Sequence, residues 1–221
     1  MTGPLIDWAW IGDHIDVVFA RLLQHLELTI IPVVLGLAIS LVLAIWAVRQ
    51  PRAYTPVDTL AGVLYTIPSL AAFAILRPIF GLSLVTAIIP LTTYTLLILF
   101  RNIVAGLHAV PPDAIEAADG MGYTRRERLW RVELPLAVPL IVAGIRLAVV
   151  TTIGLATVAS ILGDSFGGFG QFITEGLQTF FATKIYLGAV LSVALAVVAD
   201  VLLVRVEHWL TPWAQARAAR A

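Results

Sequence analysis

Five apolar runs constrain this chain more than any other feature. They fall at Leu28–Val48, Thr59–Leu76, Leu82–Phe100, Leu136–Leu162 and Ile185–Val204. Each is about 18 residues or longer, enough to cross roughly 30 Å of hydrocarbon as a helix. Irregular backbone in lipid leaves polar groups unsatisfied, so spanning segments are helices or closed barrels. The expectation is an all-α, polytopic integral membrane protein with about five transmembrane helices. Composition agrees: the chain is 60% hydrophobic and 13% charged, against about 45–50% and about 25% in soluble domains. The second run holds Pro68 and the third Pro90, whose freed backbone groups neighbouring helices can satisfy. The fourth run is long and is expected to tilt or bend, with Thr151-Thr152 and Gly154 as a flexible point.

Loop charges set the orientation. With the N-terminus outside, the inner side receives Arg49, Arg52, Arg101, Arg125, Arg126, Arg128, Arg131, Arg205, Arg217 and Arg220. The outer side receives only Arg21, Arg77 and Lys184, together with Asp7, Asp13, Asp16, Glu27, Asp164 and Glu175. Positive charge is retained on the cytoplasmic side of membranes, which favours N-out, C-in. Tryptophans fit as interface anchors, Trp8 and Trp10 outside, Trp46, Trp209 and Trp213 inside. The N-terminal segment is acidic and has no basic stretch, unlike a cleavable signal peptide.

Three divisions follow. Residues 1–26 form an external segment, 27–206 the transmembrane domain and 207–221 a cytoplasmic tail. Within the first, Ile15, Val18, Phe19, Leu22 and Leu26 share a helical face that avoids Asp16, Gln24 and His25. With Asp13 as N-cap, this is expected to be a short helix lying on the outer membrane surface, or an ordinary helix packed on the bundle. A net charge of zero gives no support for a nucleic-acid partner. No cysteine is present, and His14, His25, His108 and His208 lack metal-ligand spacing. No phosphate-binding loop or hydrolase pattern occurs, so no enzymatic site and no cofactor bound by this chain are expected.

Residues 111–135 are different in kind: polar, arginine-bearing and placed between two spans. Pro111-Pro112 end one helix and start another, with Asp113 and Glu116 in early turns where the helix dipole favours negative charge. Ala114, Ala117, Ala118 and Met121 form a small-residue stripe that lets a partner approach the backbone closely. Gly122 suits the left-handed position after a helix. A basic helix over 124–132 follows, ended by Pro135 before the fourth span. The alternative is a solvated hairpin that only links two spans.

The spacing is specific: Glu116-Ala117-Ala118, three residues, Gly122, nine residues, Val132, one residue, Leu134-Pro135. It resembles the EAA loop of bacterial ABC importer permeases, with Val132 where isoleucine is more usual. Thr66-Ile67-Pro68-Ser69-Leu70-Ala71, Arg101-Asn102 and Ala143-Gly144-Ile145-Arg146 extend the similarity, over roughly residues 20–206, to permeases of osmoprotectant importers. These move glycine betaine, choline, carnitine or related quaternary amines. The resemblance implies a multi-pass permease of the bacterial inner (cytoplasmic) membrane, paired with a second permease subunit, like or unlike. It also implies a cytoplasmic ATPase dimer that holds ATP and magnesium, and an external substrate-binding protein. Ala114, Glu116, Ala117, Ala118, Met121, Gly122, Val132, Leu134 and Pro135 would couple to the ATPase. One stretch departs: Gly163–Gly170 carries Asp164 and Phe166 where the family has small residues.

Two ionisable residues lie within spans, Arg146 and Asp200. Such groups are functional candidates by default. They could pair, or Arg146 could cap carbonyls while Asp200 reaches toward the inner face. Aromatic faces hold quaternary ammonium ions, so Tyr65, Tyr94 and Phe100 join Arg146 and Asp200 as substrate-path candidates. Two other readings stay open: an importer for another small solute such as an amino acid, and a membrane enzyme or assembly subunit without transport.

Overall fold

The computed structural model describes residues 5–160 and 167–212. Among these, all regular structure is helical. Asp164, Phe166, Trp213, Arg217 and Arg220, and the end of the fourth apolar run, lie outside the described residues.

The first helix, α1 (Trp8–Asp13), is capped by Asp7, whose carboxylate accepts the Trp10 amide at 3.0 Å. Asp13, expected to cap the helix that follows, instead ends α1, and His14 takes the N-cap position of α2 without a side-chain cap bond. After His14, α2 runs unbroken from Ile15 to Arg49. The separate helix expected over residues 14–26 is the start of this long one, because no cap or uncompensated breaker interrupts it. Its apolar face looks outward, with Ile15 and Phe19 exposed, while His25 is buried. Trp10 is no free anchor either: it stacks on His14 with ring centroids 4.3 Å apart and lies under Lys184.

The second apolar run is not one helix. α3 (Pro51–Thr66) and α4 (Ser69–Phe80) meet at 89° across Ile67-Pro68. Proline has no amide hydrogen and pushes the preceding residue out of helical geometry; Ile67 sits at φ −64°, ψ 125°. The carbonyl exposed by the break accepts the Tyr94 hydroxyl at 2.6 Å.

Tyr94 lies on α5 (Leu84–His108), which packs against both α2 and α8 (Leu134–Ala159). Ala44, Ala47, Leu99, Phe100, Ile103 and Ala148 form the larger buried cluster at this junction. Backbones approach closely there: a Cβ on Gly144 would lie 2.5 Å from the Asn102 Cβ. Between α5 and α8 come α6 (Pro112–Gly120), α7 (Arg125–Arg128) and a widened π turn over Leu129–Glu133. The break expected at Pro135 is absent. Pro135 cannot donate to Arg131, and the Leu134 amide instead reaches back to Leu129, so the turn widens and the helix continues. The result is one helix from Arg125 to Ala159 with no break at Thr151–Gly154.

The described residues end with α9 (Phe169–Thr179) and α10 (Ala182–Leu210). Glu207 thus belongs to the last helix and not to a tail. Gly167 and Gly168, at φ +64° and +76°, bring the start of α9 onto α2. The Gly168 amide donates to Gln24 Oε1 at 3.2 Å and the Phe169 amide to His25 Nδ1 at 3.1 Å. Because Nδ1 accepts, Nε2 carries the proton and donates to the Ile153 carbonyl at 3.2 Å. His25 therefore ties α2, α8 and α9 together. Substituting His25→Leu strands the Phe169 amide, and a buried unsatisfied donor costs about 1–3 kcal/mol. The expected result is a lower melting temperature of the purified protein; an unchanged one would show that α9 is held by other contacts.

Among the described residues four helices, Ile15–Arg49, Leu84–His108, Arg125–Ala159 and Ala182–Leu210, are long and apolar enough to cross a membrane. The bent α3–α4 pair makes a fifth if it counts as one span.

Candidate functional site

The insert between α5 and α8 is built as a rigid hairpin. Proline at the start of α6 needs no amide partner, and Asp113 lies in the first turn. The helix closes with paired bonds, Gly122 amide to Asp119 carbonyl at 3.0 Å and Tyr123 amide to Ala118 carbonyl at 3.1 Å. This closure needs a left-handed residue, and Gly122 supplies it at φ +81°. Thr124 and Glu127 then cap α7 reciprocally. The Thr124 amide, and then its hydroxyl, hold the Glu127 carboxyl below its usual range. Arg128 locks the hairpin: Nη1 donates to Asp119 and Nε to Glu133, both at 2.7 Å.

The small-residue stripe divides. Ala118 is 1% exposed and packs within the chain. Ala114 is half-buried, while Glu116, Ala117 and Gly122 are exposed, and Met121 is 65% exposed. Glu116 also lines a recess of ≈510 Å³ with His108, Arg128 and Glu133. Val132, Leu134 and Pro135 are half-buried at the widened turn. The face open to a partner is therefore Glu116, Ala117, Met121 and Gly122, and the rest of the set supports it.

The five candidates within the spans do not converge. Tyr65 meets Tyr94 edge to face at 5.9 Å beside the α3–α4 break. Tyr94 is buried and its hydroxyl is used by Ile67. Phe100 is fully buried and stacks on Tyr54 at 5.6 Å, which makes it a packing residue.

Arg146 and Asp200 do pair, Nε to Oδ1 at 3.0 Å and Nη2 to Oδ2 at 3.3 Å. A third partner, Glu207, accepts from Nη1 at 3.1 Å. Sequence reasoning missed it, although a seven-residue spacing on a helix puts Asp200 and Glu207 on one face. It also missed the bidentate pair of Arg101 with Asp58, at 2.6 and 2.9 Å, which joins α5 to α3. Among the described residues no group of three or more metal-ligating side chains converges.

Comparison with known proteins places this geometry in a wider set. Residues 28–212 match a family described as binding-protein-dependent transport system inner membrane component. The chain is 38% identical over 189 residues to the carnitine transport permease protein OpuCB of Listeria monocytogenes, covering 86% of each chain. It is 36% identical over 189 residues to the choline transport system permease protein OpuBB of Bacillus subtilis (strain 168), again 86% of each. It is 37% identical over 194 residues to the osmoprotectant import permease protein OsmW of Salmonella typhimurium (strain LT2), covering 86% of this chain and 89% of that one. Among solved structures, an inward-facing MetNI methionine ABC transporter chain matches with a TM-score of 0.78 at 23% identity, covering 90% of this chain and 98% of that one. An amino acid ABC transporter chain matches with a TM-score of 0.75 at 18% identity, covering 92% and 98%. These two show the shared fold.

Proposed function

We propose that this chain, which belongs to the family of binding-protein-dependent transport system inner membrane components, is the permease subunit of an importer for quaternary-amine osmoprotectants. The observation that carries the solute class is the set of relatives at 36–38% identity, named for choline, carnitine and osmoprotectant transport. The chain sits in the bacterial inner membrane and pairs with a second permease subunit. ATP hydrolysis takes place in a separate ATPase dimer docked on the Glu116–Pro135 insert, and an external binding protein delivers the solute. A glycine-closed hairpin that exposes Glu116, Ala117, Met121 and Gly122 supports that docking site. An amino-acid importer has weaker support, because the methionine and amino-acid transporters share the fold at under 25% identity.

Uptake by the reconstituted transporter, with its ATPase, second permease and binding protein, tests this reading. ATP-dependent entry of choline, glycine betaine or carnitine is expected. Entry of an amino acid with no entry of any quaternary amine would overturn the solute class.

Orientation follows from the loop charges. The chain has no cysteine, so single cysteines at Arg126 and Gln178 report cleanly. An impermeant thiol reagent on intact cells is expected to label position 178 and spare 126. The reverse pattern would invert the topology and remove the insert from the cytoplasm.

A further inference from the structure

The α3–α4 break leaves polar backbone at a depth where lipid cannot solvate it. Contacts with α5 fix that depth from both sides. Tyr94, which holds the Ile67 carbonyl, lies about 15 Å along α5 from its outer end at Leu84. Arg101, which pairs with Asp58 of α3, lies about 10 Å further toward the inner end. The break therefore sits near the middle of a hydrocarbon layer roughly 30 Å thick.

Three carbonyls at the break find donors: Val63 the Thr66 hydroxyl at 2.7 Å, Leu64 the Ile67 amide at 3.4 Å, and Ile67 the Tyr94 hydroxyl. The donors of α4 fare worse. Its first bond runs from the Ala72 amide to the Pro68 carbonyl at 2.9 Å. The Ser69, Leu70 and Ala71 amides precede it and meet no acceptor among the described residues. The hydroxyls of Tyr65 and Ser69 also meet no partner among them. Nothing in the chain shields the break, since Tyr65, Thr66, Ile67, Pro68 and Leu70 are all exposed.

Non-helical backbone at membrane depth persists only against protein or water. A neighbouring helix is a poor match, because its own amides already occupy its main-chain carbonyls. Water can accept from three amides and two hydroxyls at once. We propose that the α3–α4 break lines a water-filled cavity at mid-membrane, on the route of the transported solute. The route rests on the importer reading above; the water rests on the unpartnered donors and their depth alone.

Thr66→Cys and Leu70→Cys place single thiols on the two sides of the break, in a chain with no other cysteine. Val193→Cys is the control at similar depth, 65% exposed and about 16 Å from the outer end of α10. The assembled transporter, with its ATPase, second permease and binding protein, is reconstituted in lipid vesicles. A water-soluble sulfonate methanethiosulfonate is supplied on both sides. The thiolate is the reacting species and apolar surroundings suppress it, so both break thiols should react at least about tenfold faster than Val193→Cys. Whichever of choline, glycine betaine or carnitine is taken up should slow the reaction at the break when present at saturation. Rates at the break no faster than at Val193→Cys would place it against lipid or a partner helix and overturn the proposal. Equal rates with and without the transported amine would overturn the solute route. If the break thiols react and no quaternary amine is taken up, the importer reading fails and the water-lined break stands.

Discussion

Gly122→Leu is expected to abolish solute uptake while the chain remains inserted and abundant. The residue lies outside the spans, at φ +81°, where a side chain costs about 1 kcal/mol. A Cβ there would meet nothing of the chain within 4 Å, so the fold has room for the new group. A docked partner would not. Forcing extra methylenes into a packed contact costs about 1–3 kcal/mol. The clash weakens docking by about 1–3 kcal/mol, roughly 5- to 150-fold, while the backbone strain bears on the hairpin whether docked or free. Co-purification of the ATPase, binding-protein-stimulated hydrolysis and uptake should fall together, while the permease itself is still recovered. Glu116→Lys acts in the same direction by reversing the charge at an exposed position in the middle of α6. Wild-type uptake by Gly122→Leu would reduce residues 116–135 to a linker between two spans.

Arg146→Ala is expected to be the most damaging change within the spans, because it leaves Asp200 and Glu207 both charged and unpaired. Removing one partner of a fully buried pair costs about 3–5 kcal/mol. Here side-chain exposures of 30% and 39% allow some solvent screening, which lowers the expected loss to about 2–3 kcal/mol. Asp200→Ala is milder, since Glu207 still holds the guanidinium. The double change removes one stranded carboxylate and should recover part of the Arg146→Ala defect. Folded yield and uptake across the three variants form a double-mutant cycle. Strict additivity would show that the contact carries no coupling energy.

The spans were legible because hydropathy over some 18 residues is a strong, local signal. Gly122 was legible for a similar reason: a glycine just past an alanine-rich helix has one obvious use. Proline was not. Pro32, Pro56, Pro78, Pro90 and Pro139 all lie inside continuous helices, while Pro68 breaks one. What attends Pro68 is a tyrosine hydroxyl from 27 residues away that takes up the exposed carbonyl. Spacing alone puts His25 on a polar face turned away from the apolar one, because its partner, the Phe169 amide, lies 144 residues away in sequence. The same limit hid the division of the alanine stripe. Spacing gives neighbouring positions on a helix, but the rest of the fold decides that Ala118 turns inward and Ala117 outward.

The widened turn at Leu129–Glu133 makes the helix from Arg125 to Ala159 a mechanical lever. Its 35 residues span about 52 Å at the α-helical rise. A tilt of about 10° at its base would swing the far tip by about 9 Å, several times any shift at the pivot. Had Pro135 broken the chain into two short helices, a push on the hairpin would have been lost in the joint. Because it only widens one turn, a tilt applied at the hairpin would be carried along one continuous helix to its far end.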